Sequence, residues 1–283
     1  MAFRRRTKQF IIAFIFWGSV IAFFTALYFG FFYTAPTCFD GKWNQDEQGI
    51  DCGGSCSACQ ETVVGEDFLF EETSVLPGGD GRYDVFAKVR NPNSDIGATS
   101  FHYVFEIKDA SGAVLATDTG ESSLLPRETR YLMSIGLASS SVPATASIKV
   151  SDVSWEKFSG FGTSTLFSVY DQRFELLYDG TGFGAASGLV ANESPYDFRS
   201  VYVKVILRDS TGKAIAFNKT KLDSLVSHEQ RDFRLVWPTA FAGTVARVEV
   251  EADADFYHAD SFINQYLPSG RSQEFSAPSQ TYY

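Results

Sequence analysis

The chain has 283 residues, 45% of them hydrophobic and 16% aromatic, which is too rich in aromatic side chains for a disordered chain. A net charge of −10 argues against a nucleic-acid partner, which needs a basic footprint. Three His and four Cys leave little material for metal-dependent hydrolysis or a Cys/His nucleophile.

Residues 1–9 are basic, with Arg4, Arg5, Arg6 and Lys8 and no acid before Asp40. Phe10 to Tyr33 follow as 24 residues without a charge. A helix needs about 20 apolar residues to cross a bilayer, so residues 10–33 are expected to span one. The basic flank places residues 1–9 in the cytoplasm and residues 34–283 outside the membrane. The first 33 residues carry +4, which leaves −14 of the total of −10 on the exported part. A cleaved signal peptide is the alternative. It would have an apolar core of about 7–15 residues and a small-x-small site. This run is longer, and Phe31-Phe32-Tyr33-Thr34-Ala35-Pro36 is a poor site, so an uncleaved anchor is expected. Thr37 before Cys38 speaks against lipidation of that cysteine.

Cys38, Cys52, Cys56 and Cys59 fall within residues 36–61. Outside the membrane an even, clustered set of cysteines reads as two disulfides closing a small module without a core of its own. Three pairings are open. A zinc site is the rival. Cys56-x-x-Cys59 suits one half of it, but Cys38 and Cys52 stand too far apart for the other. Asp40, Asn44, Asp46, Glu47 and Asp51 offer hard oxygen ligands suited to calcium, though not at EF-hand spacing. The competing role for these residues is to accept local backbone hydrogen bonds in turns. The run from Cys38 to Cys59 fits C-x-D-G-x-x-N-x-x-E-x-x-x-D-C-G-G-x-C-x-x-C throughout. It resembles a motif of bacterial surface proteins and the cysteine-rich repeats of secreted eukaryotic proteins. That resemblance implies an extracytoplasmic stalk or adhesion-type module.

From about residue 64 to residue 262 the chain repeats itself with an offset near 100. Val89-Arg90-Asn91 matches Val190-Ala191-Asn192, and Phe101 to Gly112 matches Val201 to Gly212. Leu125-Pro126-Arg127-Glu128 matches Val226-Ser227-His228-Glu229, and Ile148-Lys149-Val150 matches Val248-Glu249-Val250. Phe101, Tyr103, Phe105 and Ile107 alternate with more polar neighbours, as do Val201, Val203, Val205 and Leu207. Period-two alternation marks a half-buried strand. Asp109-Ala-Ser-Gly112 and Asp209-Ser-Thr-Gly212 are hairpin turns leading to strands near 113–119 and 214–220. Further strands are expected near 83–90, 129–135 and 147–155, and near 185–191, 232–237 and 246–253. The fold class is therefore all-β: two tandem immunoglobulin-like β-sandwiches, residues 64–158 and 163–262, behind one transmembrane helix and a disulfide-rich module.

Each repeat resembles the FxLYD-type bacterial Ig-like domains, and the first is also similar to the water-stress domains of late-embryogenesis proteins. The carriers are Val89-x-Asn91-Pro92-Asn93, Asp109-x-x-Gly112 and Leu125-Pro126-x-Glu128 in the first copy. In the second they are Val190-x-Asn192, Asp209-x-x-Gly212 and Leu225-x-x-x-Glu229, with Phe174-x-Leu176-x-Tyr178-Asp179 as a loose form of the naming motif. The resemblance implies no catalysis.

Ser159 to Gly162 is a short linker that limits freedom between the sandwiches. Residues 263–283 lose the pattern and read as a flexible polar tail. Gly180, Gly182, Gly184 and Gly188 read as a loop between strands, because a phosphate loop would precede a helix. His102, His228 and His258 lie in separate segments and are expected to face solvent. Asp253, Asp255 and Asp260 read as a solvated face with a weaker claim to a cation. Asn192-Glu-Ser194 and Asn218-Lys-Thr220 fit glycosylation acceptors.

The composite expectation is a non-catalytic, membrane-anchored surface protein. Its partners are the lipid bilayer through residues 10–33 and an envelope or surface protein. The alternative is a glycan-binding or calcium-dependent adhesion module. Without a convergent acid, base and nucleophile in the sequence, an enzyme is not expected.

Overall fold

The computed structural model describes residues 5–28, 37–39, 41, 43, 46–57, 59, 63–162 and 166–267. It divides into two compact units, residues 1–62 and residues 63–283.

In the first unit, α1 spans Arg5–Leu27. The stretch Lys8–Leu27 is long and apolar enough to cross a membrane, and none of it is buried against protein. The part of the expected span from residue 29 to 33 lies outside the described residues. The cysteine module is closed by two disulfides, Cys38–Cys56 and Cys52–Cys59. Its turn at Gly53-Gly54 has φ of 82° and 61°, and a Cβ on Gly54 would lie 2.3 Å from the Asp46 carbonyl oxygen. The paired glycines of the motif are thus a steric requirement.

The second unit is two β-sandwiches in tandem. The first contains β1 (Leu69–Gly79), β2 (Arg82–Arg90), β3 (Ile96–Lys108), β4 (Val114–Leu124), β5 (Thr129–Ala138) and β6 (Thr145–Lys157). The second contains β7 (Phe167–Leu176), β8 (Gly184–Asn192), β9 (Phe198–Arg208), β10 (Ala214–Leu225), β11 (Gln230–Trp237) and β12 (Arg247–Ala254). Sheet β1-β2-β5 faces sheet β4-β3-β6, and sheet β7-β8-β11 faces sheet β10-β9-β12 in the same topology. All pairings are antiparallel. The first core packs Val85, Val89, Phe101, Phe105, Ile107 and Leu132. The second packs Val190, Val201, Val203, Val205, Leu207 and Phe233. Among them, Phe101, Phe105 and Ile107, with Val201, Val203, Val205 and Leu207, are the positions whose alternation marks them in the sequence.

The residues that carry the internal repeat fasten turns. Asn91 Nδ2 donates to the carbonyls of Ile96 (2.8 Å) and Leu125 (3.0 Å). Asn192 Nδ2 donates to those of Tyr196 (2.7 Å), Leu225 (3.3 Å) and Val226 (3.1 Å). Asp109 accepts the N–H groups of Ser111 and Ala113, and Asp209 accepts those of Thr211 and Lys213. Glu128 accepts the N–H of Leu125, and Glu229 that of Val226, each closing a turn through a residue at positive φ, Arg127 or His228. Asn192 is 1% exposed, so it is a crosslink of the fold and not a surface glycosylation acceptor.

Three elements depart from the sequence reading. The first strand of each copy, β1 and β7, is absent from it. Both are edge strands with register shifts, and β7 bulges between Tyr170 and Arg173 where Asp171 has φ of 52°. A bulge breaks the alternation that would reveal a strand. The Gly-rich run is only partly a loop. Gly184 and Gly188 lie in β8, where an added Cβ would strike the rings of Phe174 and Phe233. Helix α2, Asp260–Tyr266, occupies the start of the expected tail. Phe262 and Tyr266 lie one turn apart on it and pack with Phe158 and Phe161 of the linker region. Residues 268–283 lie outside the described residues.

Asn192→Ala strips donors from three carbonyls at once. It is expected to cost about 2–3 kcal/mol, seen as a lower urea midpoint, with Asn218→Ala as a milder comparison.

Candidate functional site

The buried charged residues of the second unit, Arg130, Lys204, Arg208 and Asp253, converge where the two sandwiches meet. The outer face of β1-β2-β5 packs on the outer face of β10-β9-β12. Leu76, Phe86, Tyr131 and Met133 from the first meet Ile206, Ala214 and Phe217 from the second in one buried cluster. Ionic groups flank this apolar strip on both sides.

On one side stands Arg208, 8% exposed. Its guanidinium grips Glu72 of β1 at 2.8 and 3.1 Å, Glu249 of β12 at 2.7 Å, and the Tyr131 hydroxyl at 3.0 Å. Tyr131 donates its hydroxyl proton to Glu249 at 2.7 Å. Burial alone would raise the Glu249 carboxyl, but the hydrogen bonds from Arg208 and Tyr131 outweigh it and hold the group below its ordinary value. On the other side Lys204 pairs with Asp253 and with Glu251 at 3.1 Å. Arg130 of β5 pairs with Glu128 at 2.7 Å and reaches Asp253 at 3.4 Å. Glu251 also accepts the backbone N–H of Tyr131 at 2.9 Å.

This second cluster gathers the buried Asp253 and the partly buried Glu128 and Glu251 around two buried cations, Arg130 and Lys204. Burial raises the carboxyls of Glu128 and Glu251, and the Asp253 charge adds to it. The two glutamates are therefore harder to ionise than exposed ones, and they respond to each other's surroundings as a group.

Beside that cluster a cleft of about 390 Å³ opens between the sandwiches. Arg130, Lys204 and Asp253 form its buried floor. Tyr103, Tyr202, Lys219, Glu121 and His258 stand around them. The Tyr103 ring lies across Gly120 of β4, where any Cβ would collide with it at 2.3 Å. Burial, with the charge of Asp118, raises the Tyr103 hydroxyl, so it is a neutral donor at ordinary pH. Lys219 donates to the Met133 carbonyl at 3.1 Å across the interface. The lining combines two aromatic rings with fixed donors and acceptors of both signs, which suits recognition of a polar ligand.

The residues singled out from the sequence are distributed differently. Asp253 belongs to the buried floor and not to a solvated face. Asp255 pairs with His258 at 2.6 Å, and Asp260 opens α2. His102 lies 3.7 Å from Asp152 on an exposed surface, and His228 sits in its turn. In the cysteine module, Asp51 accepts the Gly41 N–H at 3.0 Å and Asp46 accepts the Ser55 hydroxyl at 2.9 Å. The Glu47 carbonyl accepts the Trp43 indole N–H at 2.8 Å. Among the described residues no group of three or more His, Cys, Asp or Glu side chains is placed to hold a metal ion. Asp40 and Asn44 lie outside the described residues.

No protein-family model and no curated protein matches this chain. Among solved structures it is similar to the CBD12 calcium-binding domain of CALX1.1, at 14% identity over 66% of this chain and 79% of that one, with a TM-score of 0.20. CBD12 from CALX1.2 is similar at 15% identity over 66% and 79%, with a TM-score of 0.19. Red sea bream transglutaminase is similar at 10% identity over 65% of this chain and 29% of that one, with a TM-score of 0.20. The apolar N-terminal helix, as signal or anchor, and the two disulfides mark a secreted or membrane protein.

A raised carboxyl in the folded state means proton uptake on folding. The contribution of Glu128 and Glu251 is thus full below the ordinary glutamate range and is lost as pH rises through their raised values. Glu251→Gln removes the surplus negative charge. Its urea midpoint relative to the parent is expected to improve between pH 5 and pH 8; a pH-independent difference would contradict the surplus.

Proposed function

We propose that the chain is a single-pass membrane protein with its N-terminus in the cytoplasm and residues 34–283 outside. It acts there as a non-catalytic structural component that binds or assembles envelope or surface proteins. The supporting observation is the interface between the sandwiches, with its apolar strip and its flanking ion pairs. Two sandwiches fastened in this way hold their outer faces at fixed geometry, as a spacer or assembly element requires. The uncharged helix behind Arg4, Arg5, Arg6 and Lys8 supports anchoring over secretion. The likeness to FxLYD-type domains rests on Asn91, Asp109, Glu128 and their counterparts. Those side chains serve backbone groups, so the likeness speaks for fold and leaves function to the surfaces.

Crosslinking mass spectrometry in the native membrane tests this reading. Lys149 and Lys157, with side chains 67% and 66% exposed, are expected to give reproducible crosslinks to one envelope protein. Crosslinks confined to the chain itself would count against it.

A second reading, a saccharide-binding role, is favoured by the cleft. Tyr202 is 41% exposed there beside the Lys204 and Asp253 pair, a ring face next to fixed hydrogen-bonding groups. On this reading a neutral oligosaccharide selected on a glycan array binds the full chain, and Tyr202→Ala weakens it about tenfold. An array without signal removes the reading.

A further inference from the structure

The cysteine module exposes three large apolar side chains. Phe39 is 92% exposed, Trp43 72% and Ile50 62%. The hydrogen bond from the Gly41 N–H to the Asp51 carboxylate sets Gly41, which lies between Phe39 and Trp43 in the chain, beside the 50–51 turn. Both segments are tied by the disulfides, Cys38 to Cys56 and Cys52 to Cys59. The three side chains therefore project from one small crosslinked loop cluster. Its ordering is already fixed covalently, so a partner surface would gain their burial without a large further entropy cost.

The position in the chain identifies the surface. Cys38 follows the last described residue after α1, Tyr28, by ten positions. The expected span ends at Tyr33, and the five positions from there to Cys38 reach at most about 18 Å, so a module attached to a spanning helix stays near the headgroup layer. Aromatic side chains settle at that layer, with an apolar body toward the acyl chains and a polar edge kept satisfied. Trp43 meets both conditions, since its ring is exposed and its N–H already bonds the Glu47 carbonyl. The charge of the module excludes an electrostatic mode. Residues 37–62 carry Asp40, Asp46, Glu47, Asp51 and Glu61 against Lys42 alone.

We propose that Phe39, Trp43 and Ile50 seat the cysteine module on the outer leaflet of the bilayer that α1 crosses, by apolar insertion into zwitterionic lipid. This rests on the anchored reading given above. Seated in this way, the module is a foot that fixes where the chain leaves the membrane, and not a free stalk.

The test is tryptophan quenching by bromine on the lipid acyl chains, with the full chain in nanodiscs of phosphatidylcholine. The chain has four tryptophans, and Trp17→Phe leaves three. In brominated discs the Trp17→Phe protein is expected to lose roughly a quarter of its emission, and the Trp17→Phe/Trp43→Phe protein to lose almost none. Added salt is expected to leave the quenching unchanged, because no charge attraction is involved. Quenching of Trp17 in the parent but not of Trp43 in the variant overturns the seating while sparing the anchor. If Trp43 is then shielded from aqueous acrylamide, a protein or a second copy covers the patch instead. Absence of quenching at Trp17 overturns the anchor and the seating with it.

Discussion

Arg208 and Lys204 stand four positions apart on one strand, with Ile206 between them on the same outward face, and the arrangement of the sandwiches depends on that triplet. Ile206 joins Phe86, Met133 and Phe217 in the apolar strip, while the two cations take acids contributed from both sandwiches or from the adjoining edge strand. Ion pairs this buried add little stability over apolar packing of the same volume, because desolvation offsets their attraction. Their effect is on register. If one sandwich slid against the other, Arg208 would leave Glu72 and Tyr131, Arg130 would leave Asp253, and Glu251 would leave the Tyr131 N–H. The apolar strip supplies adhesion and the flanking charges fix the single position at which it is allowed.

The same contacts deal with exposed sheet edges. β5 and β12 are edges of their sheets, and an open edge invites pairing with other chains. Here side chains cross between sandwiches to occupy edge groups. Glu251 takes the Tyr131 N–H, Lys219 donates to the Met133 carbonyl, and Arg130 reaches the Ala254 carbonyl. The cleft lies beside these crossings, so its floor is fixed by bonds made for another reason.

The sequence is legible where one face of a strand is buried and opaque where both are. Val201, Val203, Val205 and Leu207 declare β9, and the repeat of Asn, Asp and Glu at matched positions declares the duplication. Lys204 and Arg208 look like solvent-facing residues of the same strand, since alternation assigns them to the polar side. The signal of the interface is fainter and lies in runs that fail to alternate: Val85-Phe86-Ala87, Tyr131-Leu132-Met133 and Val205-Ile206-Leu207. A continuous apolar run is what a strand covered on both faces shows. Asp253 was illegible for a related reason. Its neighbours Asp255 and Asp260 are local in sequence, whereas its partners Lys204 and Arg130 lie 49 and 123 positions away. β1 and β7 were hidden by bulges, and α2 by being only two turns long.

The first sandwich offers its β1-β2-β5 face and the second its β10-β9-β12 face, so the contact joins unlike surfaces. A contact of that kind propagates if each copy carries both surfaces. The face of the first sandwich equivalent to β10-β9-β12 is β4-β3-β6, and there the triplet reads Val104, Glu106, Lys108 in place of Lys204, Ile206, Arg208. Glu106 stands where the apolar centre would be. It hydrogen-bonds Lys149 and Lys108, which hold its carboxyl down to about 2. Burying that triad under another sandwich would desolvate three charges without an apolar strip to offset the cost. The exchange of Ile for Glu at the midpoint of the strand, with Val104 and Lys108 in place of Lys204 and Arg208, thus separates the face that docks from the face that stays open to solvent.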